Sequence, residues 1–275
     1  MNFNERSIAA LVFVFALVVD CHSQVAAPTP LPACLIQYSS SVGNGQSSSD
    51  LVLYNSNGTF TVINSSFSDQ GTNGTNAPAS GTFTYAVDPT NSAHATITYG
   101  SGVLSPINLY FTATDSGSLV PLNQIVTNAS SYSFTLSPMQ ANSGCRAVSS
   151  RCELAAAGVS ISGFIINESG GPQWVLVRAE GKSLGTYGLP DGVSSPSFTL
   201  HNSAGAVVGT SSVWSSDPNL VSGYETIFSL VGDFPLESGS DEGVLLIQLN
   251  PGAYTAVFQA GSGGSILCDV YMLPF

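Results

Sequence analysis

From Cys34 onward apolar and polar positions alternate along the chain. The runs CLIQYSS, DLVLYN, GTFTVIN, GTFTYAV, HATITYG, INLYFTATD, SLVPL and SYSFTLS follow a period of two and are rich in Thr, Tyr, Phe, Val and Ile. Between them lie SNG, DQGTNGTNAPAS, DPTNS, GSG and DSG, residues that favour turns for steric or hydrogen-bonding reasons. SPMQANSGCRAVSSR, from Ser137 to Arg151, has no apolar period and predicts a linker. A second series follows: ELAAAGVSISGFIIN, QWVLVRAE, SFTLHNS, AVVGTS, DEGVLLIQLN, AYTAVFQA and SILCDVYML. SFTLHNSAGAVVGT and LLIQLNPGAYTAVF fit hairpins or a meander. Only KSLGTYG and YETIFSLVGDFPL offer helical turns. The pattern predicts an all-β chain of two antiparallel domains: a small barrel or sandwich over 34–145, a linker at 146–151, and a jelly-roll-like β-sandwich over 152–275.

The first residues, MNFNERSIAALVFVFALVVDCHSQ, hold an apolar run from Ile8 to Val19 that is short for a membrane span and ends in small residues. This predicts a signal peptide over 1–23, cleaved after Ser23 or, as a second choice, after Ala27. Lipidation of Cys21 is the less favoured alternative, because Asp20 stands where a small residue would precede it. Residues 24–33, QVAAPTPLPA, predict an extended, mobile leader. The expected location is secreted or cell-surface, and no later apolar stretch is long enough to span a membrane.

The 275 residues carry a net charge of −12, and loss of 1–23 leaves four basic against fifteen acidic side chains. Such a surface repels phosphate backbones, which excludes nucleic acid as a partner. Sequons stand at Asn57, Asn64, Asn73, Asn128 and Asn167, mostly near turns. Cys34, Cys145, Cys152 and Cys268 remain after cleavage, enough for two bridges with three possible connectivities. Because Cys34 and Cys145 bracket the first block and Cys152 and Cys268 the second, the spacing favours Cys34–Cys145 and Cys152–Cys268.

Gly181-Lys182-Ser183-Leu184-Gly185 spells the G-x-S-x-G of a hydrolase nucleophile elbow. The elbow needs a helix after the turn, and LGTYGLPDG, with three glycines and a proline, cannot provide one. Asp191 and His201 are the only acid and base in suitable order, both close in sequence. A phosphate loop would need glycine where Leu176 stands. Arg178 shares strand parity with Trp174 and Leu176, so it is either a guanidinium held by an aromatic ring or carboxylate, or an anion anchor. Trp174, Tyr187 and Trp214, with Arg178, are the candidate ligand-binding residues, as a stacking platform for sugar rings. His94 and His201 are isolated and lack ligand spacing. No metal site or cofactor is expected.

The second block, through GFIINESGGPQWVLVRAEGKSLGTYGLPDG, SFTLHNSAGAVVGTSSVW and LNPGAYTAVFQA, resembles a C-terminal β-sandwich module of secreted bacterial multidomain proteins. In outline it is also similar to the sandwich domains that follow the catalytic part of many secreted proteases. That resemblance implies a noncatalytic extracellular module. Where the family often carries Asn-Asp-Asp before Trp, this chain has Ser211-Ser212-Val213 before Trp214, leaving Asp217 nearby, which argues against a calcium site. The first block resembles small calycin-like barrels, whose interior is either filled by side chains or open at the mouth to an apolar ligand. The expected function is a secreted, noncatalytic adhesion, binding or surface-structural component. The alternative is a module for glycans or small apolar ligands, with extracellular glycan or cell-surface components as partners; a serine hydrolase using Ser183 is the third.

Overall fold

The computed structural model describes residues 25–42, 45–69, 72–76, 79–100, 104–122, 131–139, 146–167 and 171–275. The signal peptide, Cys21, Cys145 and the sequon at Asn128 lie outside them. The described chain is all-β apart from one helix and a 3-10 turn.

Nine strands form the first sheet: β1 (Cys34–Val42), β2 (Gln46–Tyr54), β3 (Thr59–Asp69), β4 (Thr72–Thr75), β5 (Ser80–Asp88), β6 (Asn91–Tyr99), β7 (Ile107–Ala113), β8 (Ser116–Pro121) and β9 (Ser131–Pro138). They run in the order β2-β1-β9-β8-β7-β6-β5-β3-β4, and β2 also pairs with β3, so eight strands close into a barrel with β4 hung on its side. Closure removes the unpaired edge that an open sheet of this length would expose. Period two then assigns the faces. Ile36, Val52, Tyr54, Phe60, Ile97, Leu109, Phe111 and Phe134 fill the interior, while Leu35, Leu51, Leu53 and Ile63 are buried on the outside. The apolar run LVLY is therefore buried on both faces. An irregularity in the β2–β3 register near Ile63 changes the parity of β3, so Val62 and Ser65 both reach the barrel interior while Ile63 points out.

The leader packs on the barrel. Its Val25 and Ala27 amides bond to the carbonyls of Phe111 and Ser92, and Ala27 and Leu31 join the barrel core. Those partners lie at the end of β7 and the start of β6, so the leader packs across one end of the barrel. The apolar side chains of a Pro/Ala stretch have found a surface to bury on.

The second half holds β10 (Arg146–Leu154), β11 (Val159–Ile166), β12 (Gln173–Glu180), β13 (Ser197–Asn202), β14 (Val207–Thr210), β15 (Ser212–Val213), β16 (Gly243–Leu249), β17 (Gly252–Gln259) and β18 (Gly264–Met272). They build two sheets, β10-β18-β12-β16-β15 and β11-β17-β13-β14, which enclose a core of Val175, Val177, Phe198, Leu200, Phe258 and Val270. Residues 146–151, expected as linker, are the start of β10, bonded along their length to β18. β10 is an edge strand with most side chains in solvent, so no apolar alternation marks it. SFTLHNSAGAVVGT does form a hairpin. LLIQLNPGAYTAVF does not: β16 and β17 sit in different sheets, and the Asn-Pro-Gly turn carries the chain across the sandwich.

Helix α1 (Pro218–Val231) starts earlier than YETIFSLVGDFPL suggests. Asp217 caps it, its carboxylate accepting from the Asn219 amide at 2.9 Å, with proline in the first turn and Gly232 closing it in the left-handed region. The helix lies between the outer wall of the barrel and the β12-bearing sheet. Ile227 and Phe228 join Leu35, Leu51, Leu53 and Ile63 from the barrel, and Trp174, Leu176, Trp214 and Val244 from the sandwich, in one apolar seam. Gly223 makes this contact possible, because a Cβ there would stand 2.1 Å from the Ile63 carbonyl oxygen. No helix among the described residues is long and apolar enough to cross a membrane.

Candidate functional site

The expected sugar-stacking platform does not assemble. Trp174 and Trp214 are 8% and 2% exposed and belong to the seam, which needs large apolar side chains from both halves. Trp174 also borders a cavity of about 340 Å³ between β2–β3 and the sandwich, beside Gln37, Asn64 and Gln248. The Trp214 indole donates to Ser240 Oγ at 2.9 Å. Tyr187 alone is exposed, its ring against Phe234 with centroids 4.6 Å apart.

Arg178 is fully buried on the seam face of β12. Its Nε stands 2.8 Å from Glu180 Oε1, Nη1 pairs with Asp233, and the guanidinium lies 4.3 Å and 4.9 Å from the ring centres of Phe228 and Phe234. Asp269, opposite Arg178 in the β12–β18 register, completes the group. Oxygens of Glu180, Asp233 and Asp269 lie within 4.8 Å of one another, and the guanidinium already supplies their counter-charge. Burial, with the neighbouring carboxylates, holds Glu180 well above the ordinary range, and burial also raises Asp269.

Ser183 is 1% exposed and its hydroxyl is occupied. It donates to Glu242 Oε2 at 2.5 Å and accepts from the Glu237 amide at 2.6 Å. Glu242 also accepts from the Gly181 and Ser183 amides at 2.9 and 2.8 Å and from Ser240 Oγ at 2.6 Å. One buried carboxylate thus ties the 3-10 turn Lys182–Tyr187 to the segment that leads into β16. Gly181 is required where it stands, since a Cβ would meet the Val193 carbonyl oxygen at 2.1 Å. His201 is engaged elsewhere, with Nε2 2.9 Å from Thr199 Oγ1 and Nδ1 3.2 Å from the Gly205 carbonyl. The Ser183, Asp191 and His201 set is not joined by hydrogen bonds. Ser183→Ala removes a hydroxyl from a buried carboxylate and is expected to cost about 1.5–3 kcal/mol in urea unfolding; a change within about 0.5 kcal/mol would contradict the strap.

Cys34, Cys152 and Cys268 stand as free thiols, and the expected partner of Cys34, Cys145, lies outside the described residues. Across β10–β18, Cys152 faces Ile266 and Cys268 faces Ser150. The two are diagonal neighbours across the ladder, and the Cys152 thiol lies beside that of Cys268 as a hydrogen-bonding and electrostatic neighbour. Burial pushes the Cys34 and Cys268 thiols up to about 12, which keeps them protonated and unreactive.

The cavity with room for a ligand is at the barrel mouth, opposite the leader. It measures about 750 Å³, within the usual range of small-molecule sites. Its floor is a chain of phenols: Tyr38 Oη to Tyr54 Oη at 2.8 Å and Tyr54 Oη to Tyr99 Oη at 2.5 Å. Burial raises all three, Tyr99 to about 12, so they stay neutral hydrogen-bonding groups. Below them Phe60, Phe83, Phe111 and Phe134 pack edge to face or tilted and close the barrel. Above, Val52, Val62, Ile107 and Leu119 supply apolar lining, and Ser40, Ser48, Ser65 and Asp50 supply hydroxyls and a carboxyl, Ser48 and Asp50 from the same strand as Val52 and Ser65 from the same strand as Val62. The barrel is therefore filled at one end and open at the other. A sequence signal for this existed: Ser48 and Asp50 share inward parity with Val52 and Tyr54, so small polar residues replace bulky ones toward one end of β2.

No family model matches the chain, and no curated protein matches it. Among solved structures, part of the chain is similar to the pre-peptidase C-terminal domain of a collagenase from Bacillus anthracis, with 8% identity, a TM-score of 0.28, and coverage of 45% of this chain and 87% of that one. A likeness of that size fixes neither topology nor activity.

Proposed function

We propose that this protein is a secreted, noncatalytic β module whose barrel binds a small amphipathic molecule in its mouth, with the sandwich as rigid support. The observation that carries this is the cavity of about 750 Å³ with a mixed apolar and hydroxylated lining over a phenol floor. Export is argued from the apolar run Ile8–Val19 of the expected signal peptide, and a noncatalytic role is supported by the engagement of Ser183 by Glu242. Hydrolysis of an activated ester by the purified chain, lost on Ser183→Ala, would overturn that part.

The binding itself is tested with N-phenyl-1-naphthylamine, a neutral probe that fluoresces in apolar sites. Leu119 is buried at the cavity wall, and Leu119→Trp is expected to occupy the mouth and weaken probe binding at least about tenfold, the equivalent of ~1.4 kcal/mol. Near-ultraviolet circular dichroism shows whether the barrel has stayed folded. Unchanged binding in a folded variant would place the probe elsewhere.

A second reading, adhesion or surface assembly, is favoured by one observation. Val159, Ile161 and Ile165 on the edge strand β11 are 56%, 64% and 70% exposed, an apolar stripe of the kind that marks contact surfaces.

A further inference from the structure

We infer that the molecule taken by the barrel mouth is a cationic amine with an apolar body, held by Asp50 as its counter-ion; this rests on the barrel-mouth binding proposed above. Asp50 lies in the cavity wall on β2, opposite Tyr38 on β1 and Ser65 on β3. Ser65 Oγ donates to Asp50 Oδ1 at 2.5 Å, and Asn76 Nδ2 braces Ser65 Oγ at 2.8 Å. The protein thus orients the carboxyl through one oxygen.

What the protein does not supply is a positive charge. Residues 25–145 contain no lysine and no arginine, while Asp50, Asp69, Asp88 and Asp115 are all acidic. His94, the histidine of this half, sits on the Asp88 carboxylate at 3.1 Å, on the strands near the leader end. A partly desolvated carboxylate without a basic neighbour takes either a proton or a cation from outside. Burial raises Asp50, consistent with the first, and an ammonium group arriving from solvent supplies the second.

The remaining lining fits the rest of such a molecule. Tyr38, Tyr99, Tyr132 and Phe67 are among the lining residues, and aromatic rings attract cations. Val52, Val62, Ile107 and Leu119 accept an apolar ring or short chain. The acidic field of the barrel repels anions such as carboxylates and phosphates. A calcium-type ion wants several hard oxygen ligands with charge among them, and among the described residues Asp50 is the one carboxylate in the lining.

The test uses three probes that share an indole body: tryptamine, tryptophol and indole-3-acetate, carrying positive, neutral and negative charge at neutral pH. Titration calorimetry on the full chain is expected to rank them in that order, with tryptamine at least about tenfold tighter than tryptophol, since a charge-assisted bond replaces a neutral one. Asp50→Asn keeps the shape and the Ser65 contact; it should erase the preference and leave tryptophol binding intact. Equal binding of tryptamine and tryptophol to the unaltered chain overturns the amine inference and leaves the mouth as a general amphipathic site. A preference that survives Asp50→Asn overturns the role of Asp50. If none of the three binds and N-phenyl-1-naphthylamine does not either, barrel-mouth binding fails as well.

Discussion

Arg178→Met is expected to lower the stability of the chain by about 3–5 kcal/mol in urea unfolding, the range for removing one partner of a buried charge group. The guanidinium faces Glu180 and Asp233 and lies under Phe228 and Phe234, with Asp269 alongside. Methionine matches much of its stem but leaves three buried carboxyls without a cation. Adding Glu180→Leu should recover part of the loss, because one of those carboxyls then disappears. A single-variant loss below about 1 kcal/mol would mean that the carboxyls are neutral and the arginine dispensable.

The same group sets a pH dependence of unusual sign. Glu180 and Asp269 hold their protons to higher pH in the folded chain than in the unfolded one. Folding therefore takes up protons above the ordinary carboxylate range of about 4. Their contribution is complete below that range and is lost as pH rises through the raised values. Stability should increase as pH falls from neutral toward about 5, and by more in Arg178→Met. Asp88, lowered to about 2 by its Thr90 and His94 bonds, acts in the opposite sense and only in stronger acid.

Trp214→Ala is expected to cost a similar amount, about 3–5 kcal/mol, by opening a cavity in the seam. The indole packs 6.3 Å from the Phe228 ring centre, donates to Ser240, and its backbone amide bonds to the Glu242 carbonyl. Both tryptophans lie in the seam, so their fluorescence follows its loosening, while far-ultraviolet circular dichroism follows the sheets. In Trp214→Ala the fluorescence transition should move to lower urea than the circular dichroism transition. Coincident transitions with little loss of stability would show that seam and sheets unfold together and that Trp214 contributes little to either.

Much of the strand pattern was legible because Thr, Val, Ile and Tyr alternate wherever one face meets water. It failed where that contrast vanishes. β10 is nearly all exposed and polar, so Arg146–Arg151 passed for linker until β18 is seen to supply its hydrogen bonds. β12 is buried on both faces; period two correctly grouped Trp174, Leu176 and Arg178, but nothing in that grouping says whether the shared face meets water or the barrel. The start of α1 is written in Asp217-Pro218, a cap followed by a proline, but its apolar residues begin later and periodicity alone does not mark it. The elbow spelling around Ser183 misleads because Glu242, which engages the hydroxyl, is distant in sequence. Whether a barrel is open or filled depends on side-chain size at one end of several strands at once, and Asp50 reveals the open end only after closure places it.

The seam also bears on ancestry. Leu35, Leu51, Leu53 and Ile63 make the outside of the barrel as apolar as its inside on one flank, and α1, emitted by the sandwich, is the cover. A barrel copied into another gene without that helix would carry a sticky flank, whereas one copied with it would remain soluble. Shuffling of these parts between genomes should therefore have moved barrel, helix and sandwich together, so that kin of this chain would show the pair of β units inherited as one block.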